Sequence, residues 1–300
     1  MPDPVPAPPR GGEHASDAPS AATEARRPAR PYRIPPFLRA TLAIHAGGLA
    51  TLLAAPGRWP WVAGALVLDH LAIGGACLTP QSRLLGPNLS RLGEDARARG
   101  EVGLTFDDGP DPEVTPRVLD LLAERGAQAS FFAIGRRVRE HPEIAAEIAR
   151  RGHRVENHTL HHRYDFSLRG VRPLEREIAG AQEAIAGATG RAPAWFRAPA
   201  GLRGPFLEPV LARQGLRLAA WTRRGYDTVT SDPRRVLARL LRNLSAGDVL
   251  LLHDGSAARA AGRPVVLEVL PRLLDALAAS GLRAVPLPDD GPPPPAGESA

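Results

Sequence analysis

The chain has 300 residues, a formal net charge of +6 and a single cysteine, Cys77. This length suits one catalytic domain of about 200 residues with additions, because single hydrophobic cores rarely grow beyond roughly 250 residues. One cysteine excludes an intramolecular disulfide and a cysteine-rich metal site. All 38 basic residues are arginines that alternate with acids and are not interleaved with aromatic residues, so the composition speaks against nucleic-acid binding.

Proline, alanine, glycine, serine and arginine dominate both ends of the chain. Segments of this composition cannot bury enough apolar surface to offset the entropy of ordering them. We therefore predict a disordered leader over residues 1–36 and a disordered tail over residues 288–300. We expect no chemistry in either.

Two apolar stretches follow the leader. Residues 40–55 carry no charge, and residues 59–78 are interrupted only by Asp69 and His70. A spanning helix needs about 20 apolar residues, and a polar pair in hydrocarbon is costly. We predict a helical hairpin over residues 37–79 that associates with a bacterial inner membrane; a soluble hairpin packed on the catalytic domain is the alternative. A cleavable signal peptide is disfavoured, because the apolar run begins late.

Arginines precede and follow the hairpin, and only Arg58 lies between its two stretches. Since arginine-rich flanks tend to stay in the cytoplasm, two spanning helices would leave the following domain cytoplasmic. A single span would place that domain outside, so the side of the membrane stays open. Residues 80–100 are predicted to be a linker.

From residue 101 to residue 287, short apolar runs alternate with amphipathic stretches, which is typical of repeated β-α units. The predicted strands are 102–106, 129–134, 154–157, 195–197, 218–221, 249–252 and 284–287. The predicted helices are 115–124, 142–151, 173–186, 233–244 and 265–279. About seven parallel strands favour a closed or nearly closed (β/α) barrel over an open doubly wound sheet.

Polar residues follow the ends of these strands, where barrel enzymes place their function. Asp107 and Asp108 follow the first strand and precede Gly109 and Pro110. Alone, this segment is more typical of a solvated turn, because Asp, Gly and Pro are turn residues. Its position at a strand end makes the two carboxylates candidates for catalysis or metal binding.

His158 and His162 follow the third strand and would point the same way if their segment starts a helical turn. With Asp108 they would form a set of two histidines and one carboxylate, which leaves metal positions open for water and substrate. His161 is a competing ligand that its spacing disfavours. Iron-dependent oxygenation uses the same set, but a further histidine at a strand end, His253, favours hydrolysis.

Arg197, Asp227 and His253 follow the fourth, fifth and sixth strands. Taken singly, Arg197 is typical of a structural ion pair and His253 of a strand terminus. Five polar segments at successive strand ends are much less probable by chance than any one of them.

As a set, these segments resemble the polysaccharide deacetylase family over residues 101–287. The motifs that carry the resemblance are Thr105 to Pro110, Ser130 to Gly135, Gly152 to His162, Arg197-x-Pro199-x-Gly201 and Leu251 to Asp254. The resemblance implies a distorted parallel (β/α) barrel. It also implies a metal-dependent hydrolase that removes an acetyl or related acyl group from an N-acylated amino sugar in a polymer, an oligomer or a lipid-linked saccharide.

The resemblance further implies a role for each matched residue. Asp108, His158 and His162 would bind a divalent metal, most commonly zinc, with cobalt or nickel as alternatives. Asp107 would be the catalytic base and His253 the catalytic acid.

Supporting roles follow from the same resemblance. Arg197 would keep Asp107 ionised, and Asp227 would stabilise the imidazolium of His253. A backbone N–H near Ala200 would bind the oxyanion, and Leu251 would line the pocket for the acyl methyl group. The predicted substrate-binding residues are Pro199, Ala200, Gly201, Leu251 and Trp221.

The chain departs from the family pattern in the substrate groove. Ala200 stands where an aromatic residue is usual, Thr228 stands where tryptophan is usual, and Arg224 stands where an acid often precedes the aspartate. Sugar rings stack on such aromatic residues, so a long chitin-like polymer is disfavoured, although Tyr226 or Trp221 could serve as a groove wall. The alternatives are an O-acetyl esterase acting on a polysaccharide and an inactive, membrane-tethered carbohydrate-binding barrel. No specific protein partner is indicated.

Overall fold

The computed structural model of the chain describes residues 27–289. The predictions of disorder for residues 1–26 and 290–300 lie outside the described residues. The described chain forms an N-terminal segment, a helical hairpin and a parallel β/α barrel.

The last part of the predicted leader is ordered, contrary to the prediction. The backbone N–H of Arg30 donates to the carbonyl of Ala212 (2.9 Å), and its guanidinium pairs with the buried carboxylate of Glu208 (2.6 Å). At the other end, Pro288 accepts a hydrogen bond from the Trp195 indole (2.7 Å). Both segments are ordered by partners far away in the chain, which local composition does not reveal.

The predicted hairpin is present. Helix α1 (Pro36–Ala54) and helix α2 (Trp59–Leu78) are joined by the short 3₁₀ turn Pro56–Arg58. Both helices are long and apolar enough to cross a membrane. Many of their large apolar side chains face outward, and Leu53 is 78% exposed.

The barrel is built on an eight-stranded parallel sheet, and a separate antiparallel pair of strands lies outside it. The strands are β1 (Glu101–Asp107), β2 (Ser130–Ala133), β3 (Arg154–Asn157), β4 (Trp195–Phe196), β5 (Arg217–Leu218), β6 (Arg223–Arg224), β7 (Val249–His253), β8 (Arg259–Ala260), β9 (Arg263–Pro264) and β10 (Arg283–Val285). The order in the sheet is β5-β4-β3-β2-β1-β7-β6, β10 pairs with the first half of β1, and β8 and β9 form the separate pair. The sheet curls into an incomplete barrel, so the predicted fold class is confirmed.

Helices follow the strands and cover the outside of the sheet, as right-handed β-α units require. The helices after the hairpin are α3 (Glu94–Ala98), α4 (Thr115–Ala123), α5 (Gly135–Glu140), α6 (Pro142–Arg150), α7 (Val171–Thr189), α8 (Leu207–Arg213), α9 (Pro233–Leu241) and α10 (Val266–Ala279). A large core fills the space between β1, β2, β7 and the helices α4, α9 and α10. A second core, which includes Phe132, Trp195, Trp221 and Leu251, fills the barrel interior.

The predicted linker is a structural part of the barrel. The edge strands β5 and β6 do not pair with each other, and the segment around Leu89 lies beside β5: the Leu89 N–H donates to Leu218 (3.0 Å) and its carbonyl accepts from Ala220 (2.7 Å). On its other side, the Leu92 N–H donates to Gly247 (2.8 Å), just before β7. Leu85, Leu89 and Leu92 are buried. We call residues 88–92 the seam segment. The predicted strand 218–221 is thus shorter than expected: β5 ends at Leu218, and the Ala220 N–H bonds to the seam segment.

Candidate active site

Two adjacent aspartates end the central strand of the sheet. All seven residues of β1 are buried, and Asp107 is its last residue. Asp108 has a left-handed backbone (φ 73°), a conformation that aspartate tolerates better than most residues. Gly109 follows because a Cβ there would lie 2.1 Å from a carboxylate oxygen of Asp254. The sharp bend lets the two carboxylates face different partners.

Asp108 faces the two predicted histidine ligands. Its Oδ1 lies 3.4 Å from His158 Nε2 and 3.4 Å from His162 Nε2. His158 Nδ1 lies 2.8 Å from the carbonyl oxygen of Arg197. Because a carbonyl oxygen can only accept, Nδ1 carries a hydrogen, and in the neutral ring Nε2 keeps the lone pair that a metal would bind.

The histidines do not converge through a helical turn, and that premise of the prediction is wrong. The segment is a loop in which Thr159 (φ 67°) and His162 (φ 52°) have left-handed backbones. The Thr159 hydroxyl accepts from the backbone N–H of His162 (2.9 Å), which fixes the loop. His161 turns away, and its Nδ1 lies 2.9 Å from Glu177.

The geometry and chemistry of this cluster fit a divalent metal. Asp108 Oδ1 is buried and has no hydrogen-bond partner among the described residues, and one ligand atom from each of the three residues lies within 4.8 Å of the other two. Ligands 2.0–2.1 Å from a tetrahedral metal would be about 3.4 Å apart, which matches the observed spacing. Burial alone would raise the pKa of Asp108, but the neighbouring histidines His158, His253 and His162 lower it below its ordinary value. The carboxylate is therefore ionised, as a ligand must be.

Asp107 faces a buried arginine. Its Oδ1 accepts from Arg197 Nη1 (2.6 Å), and both side chains are almost inaccessible to solvent. The guanidinium also donates to the Thr105 hydroxyl (2.9 Å) and to the carbonyl of Ala220 (2.9 Å), and it lies 3.9 Å from the ring centroid of Phe132. These contacts satisfy the buried cation and hold the Asp107 carboxylate in one orientation.

His253 lies beside Asp107. The two residues are register partners at the ends of the neighbouring strands β7 and β1. Asp227 binds His253 twice, through the ring Nδ1 (2.8 Å) and through the backbone N–H (2.8 Å). Burial alone would lower the pKa of His253, but the charge and hydrogen bond of Asp227 raise it above its ordinary value. The imidazole therefore keeps a proton on the side of Asp227 and directs Nε2 away from it.

The predicted groove residues divide into exposed and buried ones. Ala200 is exposed in the 3₁₀ turn Pro199–Gly201 after β4 and has a left-handed backbone (φ 54°). A Cβ at Gly201 would lie 2.5 Å from the Trp221 ring, so this close approach needs glycine. Trp221 and Leu251 are buried in the barrel core, whereas Tyr226 is 47% exposed. Of the two aromatic residues considered as groove walls, only Tyr226 offers a free ring surface.

Sequence reasoning missed several residues that support this site. Thr105 lies two positions before Asp107 on the same strand face and bonds to Arg197, and period-two alternation in β1 was a signal for it. Asp254 accepts from the Thr115 hydroxyl (2.5 Å), and its burial raises its pKa to about 7. No local pattern indicates this last contact, because the partner lies 139 residues away.

Comparison with known proteins gives a consistent result. The family model described as polysaccharide deacetylase matches residues 94–219. The chain is 34% identical over 211 residues to a chitooligosaccharide deacetylase of Azorhizobium caulinodans, a match that covers 67% of this chain and 100% of the relative. It is 32% identical over 174 residues to a peptidoglycan-N-acetylglucosamine deacetylase of Bacillus cereus, with 57% of this chain and 81% of the relative covered.

A solved structure is also similar. A family 4 carbohydrate esterase from Streptomyces lividans, in complex with acetate, matches with a TM-score of 0.56 and 32% sequence identity. The match covers 62% of this chain and 91% of that chain. The similarity therefore extends over nearly all of the esterase and over the barrel-sized part of this chain.

Proposed function

The chain belongs to the polysaccharide deacetylase family of hydrolases, and from this premise we propose that it removes an acetyl or related acyl group from an N-acylated amino sugar. The observation that carries the proposal is the arrangement at the ends of β1 and β7. Asp108 faces His158 and His162 at 3.4 Å, while Asp107 is the register partner of His253. This arrangement supports a metal-ligand set beside a carboxylate that can act as base and an imidazole that can act as acid.

Enzymes of this family are metal-dependent, and Asp108, His158 and His162 would hold the metal here. Zinc suits two imidazoles and one carboxylate, with cobalt or nickel as alternatives. When bound, such a metal polarises the acyl carbonyl and makes water a stronger acid. The unpartnered Oδ1 of Asp108 supports this assignment.

Asp107 accepts the proton of the attacking water. The ion pair with Arg197 orients its carboxylate, so that the proton is taken at Oδ2, the oxygen that Arg197 Nη1 does not bind. The backbone N–H near Ala200 donates to the oxyanion that forms. Preorganised donors of this kind stabilise developing negative charge.

His253 donates a proton to the departing amine. Its Nδ1 is held by Asp227, so Nε2 is the nitrogen left to face the substrate. The raised pKa of His253 keeps the imidazolium available near neutral pH. The products are a free amino sugar and acetate, and the Leu251 side chain borders the acyl methyl group.

The test is acetate release by the full chain in detergent, from N-acetylglucosamine oligomers and from an O-acetylated sugar, with zinc and with a chelator. We expect zinc-dependent release from the N-acetyl substrates that Asp107→Asn and His253→Ala each reduce about 10²–10⁴-fold, the range for general acid or base catalysis. The matched control is His141→Gln, because His141 lies outside the site. Release from the O-acetylated sugar alone would make the chain an esterase, and release from neither substrate would contradict the proposal.

We further propose that residues 37–79 anchor the enzyme in a bacterial inner membrane and that residues 101–287 carry the catalysis. The exposed apolar side chains of both helices and the arginines on both flanks support two spans with a cytoplasmic barrel. A reporter that is active only outside the membrane, fused after Ala300, is expected to be inactive. An active fusion would contradict the cytoplasmic placement.

A further inference from the structure

A cavity of about 500 Å³ opens beside the edge strand β6. Its size lies within the range of small-molecule sites, roughly 300–1,000 Å³. Four of its nine lining residues are arginines, and none is an aspartate or a glutamate. We call it the arginine cavity; the arginines are Arg223, Arg224, Arg239 and Arg242.

The positive charge of this cavity is mostly unpaired. Arg223 pairs with Asp248 (2.9 Å), but among residues 27–289 none of the other three arginines has a carboxylate within ion-pair distance. Arg224 Nε is buried without a hydrogen-bond partner in that same range. Arg239 donates only to uncharged oxygens, the Gly225 carbonyl and the Thr230 hydroxyl. Arg224, Arg239 and Arg242 therefore line the cavity without a carboxylate partner among the described residues, and a bound anion would supply one.

The cavity adjoins the catalytic groups. Trp221 is one of its walls, and the Trp221 ring lies 5.4 Å from the guanidinium carbon of Arg224 and 5.8 Å from that of Arg197. Tyr226 is another wall, and the next residue, Asp227, holds His253. The segment Tyr226–Asp227 therefore connects the wall of the arginine cavity with the residue that holds the proposed acid.

The cavity also adjoins the exit of the hairpin. Gln81 lines it, three residues after the end of α2, and donates to the carbonyl of Trp221 (3.2 Å). If the hairpin spans a membrane, this wall lies close to the membrane surface. Tyr226 contributes an exposed ring against which the guanidinium groups of Arg224 and Arg239 lie at 5.0 and 5.3 Å.

We propose that the arginine cavity binds the phosphate of a phosphorylated amino sugar, and so defines the substrate class of the deacetylase; the inference rests on the proposed function. Arginine forms paired hydrogen bonds with phosphate oxygens, which a neutral sugar does not offer. The same chemistry could come from a soluble sugar phosphate or from a lipid-linked one. The position near α2 favours the lipid-linked form.

The kinetic test compares N-acetylglucosamine, N-acetylglucosamine 1-phosphate and a polyprenyl-phosphate-linked N-acetylglucosamine, with the full chain in detergent. Arg224→Gln and Arg242→Gln are expected to raise KM for both phosphorylated substrates about tenfold, as loss of a charged hydrogen bond does, with kcat little changed. KM for the unphosphorylated sugar should change less than twofold. The matched control is Arg235→Gln, an exposed arginine of the same helix as Arg239 that pairs with Asp232. Equal KM changes for all three sugars would overturn the proposal.

A binding measurement separates this proposal from the proposed function. Equilibrium dialysis of N-acetylglucosamine 1-phosphate with the Asp107→Asn chain needs no hydrolysis. Binding that weakens about tenfold in Arg224→Gln supports the phosphate site even if no substrate is ever deacetylated, while hydrolysis without any phosphate-dependent binding overturns it. Tighter binding of the lipid-linked form identifies the lipid as the source, and equal binding identifies a soluble sugar phosphate.

Discussion

Two clusters of two histidines and one aspartate lie in different parts of this molecule. In each, one ligand atom per residue lies within 4.8 Å of the other two. They are the catalytic cluster of Asp108, His158 and His162, and the hairpin cluster of His45, Asp69 and His70. Residue types and the spacing of the ligand atoms do not distinguish the two clusters. Any difference in their function must therefore come from the residues around each cluster.

The catalytic cluster has a complete set of supporting contacts. His158 is oriented by a backbone carbonyl of another strand, Asp107 lies next to the aspartate ligand, and a buried arginine fixes Asp107. Outer contacts of this kind set ligand orientation and basicity. Asp107, the proposed base, also lies beside His253, the proposed acid.

The hairpin cluster has only helix contacts. Asp69 accepts from the Thr41 hydroxyl (2.9 Å), and the ring Nδ1 atoms of His45 and His70 lie beside carbonyl oxygens of their own helices. Both histidines are exposed. We interpret this cluster as a polar contact that holds the two helices together. The comparison teaches that a ligand set becomes a reaction centre through its neighbours.

The most direct test of this difference is to replace the aspartate of each cluster in turn. Asp108→Asn should lose the bound zinc and reduce acetate release on the order of 10³-fold, because several kcal/mol of charge stabilisation are removed. Asp69→Asn should keep one zinc per chain and near-normal release. Zinc is counted by elemental analysis after dialysis at a fixed free concentration. Two equivalents in the unmodified chain, with one lost in Asp69→Asn, would make the hairpin cluster a metal site.

Asp227→Asn tests the contacts around the acid. We expect about a tenfold to hundredfold loss of kcat/KM, part of the general-acid contribution. Because Asp227 raises the pKa of His253, its removal should move the alkaline limb of the pH profile to lower pH. Asp165→Asn is the control, since Asp165 is an exposed carboxylate paired only with neighbouring arginines. An unchanged pH profile would mean that Asp227 acts on structure alone.

Asp254→Asn tests a buried carboxylate that neither cluster uses. Burial raises the pKa of Asp254 to about 7 in the folded chain, from an ordinary value of 3.8. The folded state therefore binds more protons between these values, and stability is lost as pH rises through 7. The asparagine variant should escape this loss, which is at most about 4 kcal/mol at pH 8, and should differ much less from the parent at pH 4. Thermal unfolding of the variant and the parent at pH 4 and pH 8 measures their difference in stability at each pH. An equal difference at the two pH values would contradict the raised pKa of Asp254.

Thr41→Val gives the smallest expected effect. Loss of its hydrogen bond to Asp69 should destabilise the hairpin by about 0.5–1 kcal/mol, the range for hydrogen bonds between membrane helices. Acetate release should not change. Thr51→Val is the matched control, because the Thr51 hydroxyl bonds only within its own helix, to Gly47 (2.8 Å). Thermal unfolding in detergent compares the two, and equal effects would remove Asp69 from the contact between the helices.

Much of the site could be predicted because the carboxyl ends of parallel strands meet at one face. Asp107, Asp108 and His253 are strand-end residues, and the structure places them side by side. His158 and His162 could be paired from sequence but not explained, because left-handed backbones in a loop leave no periodic signal.

Features that depend on distant partners could not be predicted. Arg30, in the described end of the predicted leader, pairs with Glu208, and the predicted linker bonds to β5. The arginine cavity gathers residues from a strand, a helix and the hairpin exit. From the sequence, Arg224 was notable only because it stands where the family often has an acid. Its position in a cavity lined by arginines depends on the folded structure.

The seam segment has a consequence for how this protein can be divided. A fragment that begins at Glu101 would retain every proposed reactive group, yet it would leave β5 and the start of β7 without the backbone that links them. Ser90 also accepts from the Thr222 hydroxyl (2.7 Å), next to Trp221 in the cavity wall. A fragment that carries the whole barrel must therefore include the seam segment, although the family motifs begin only at Thr105.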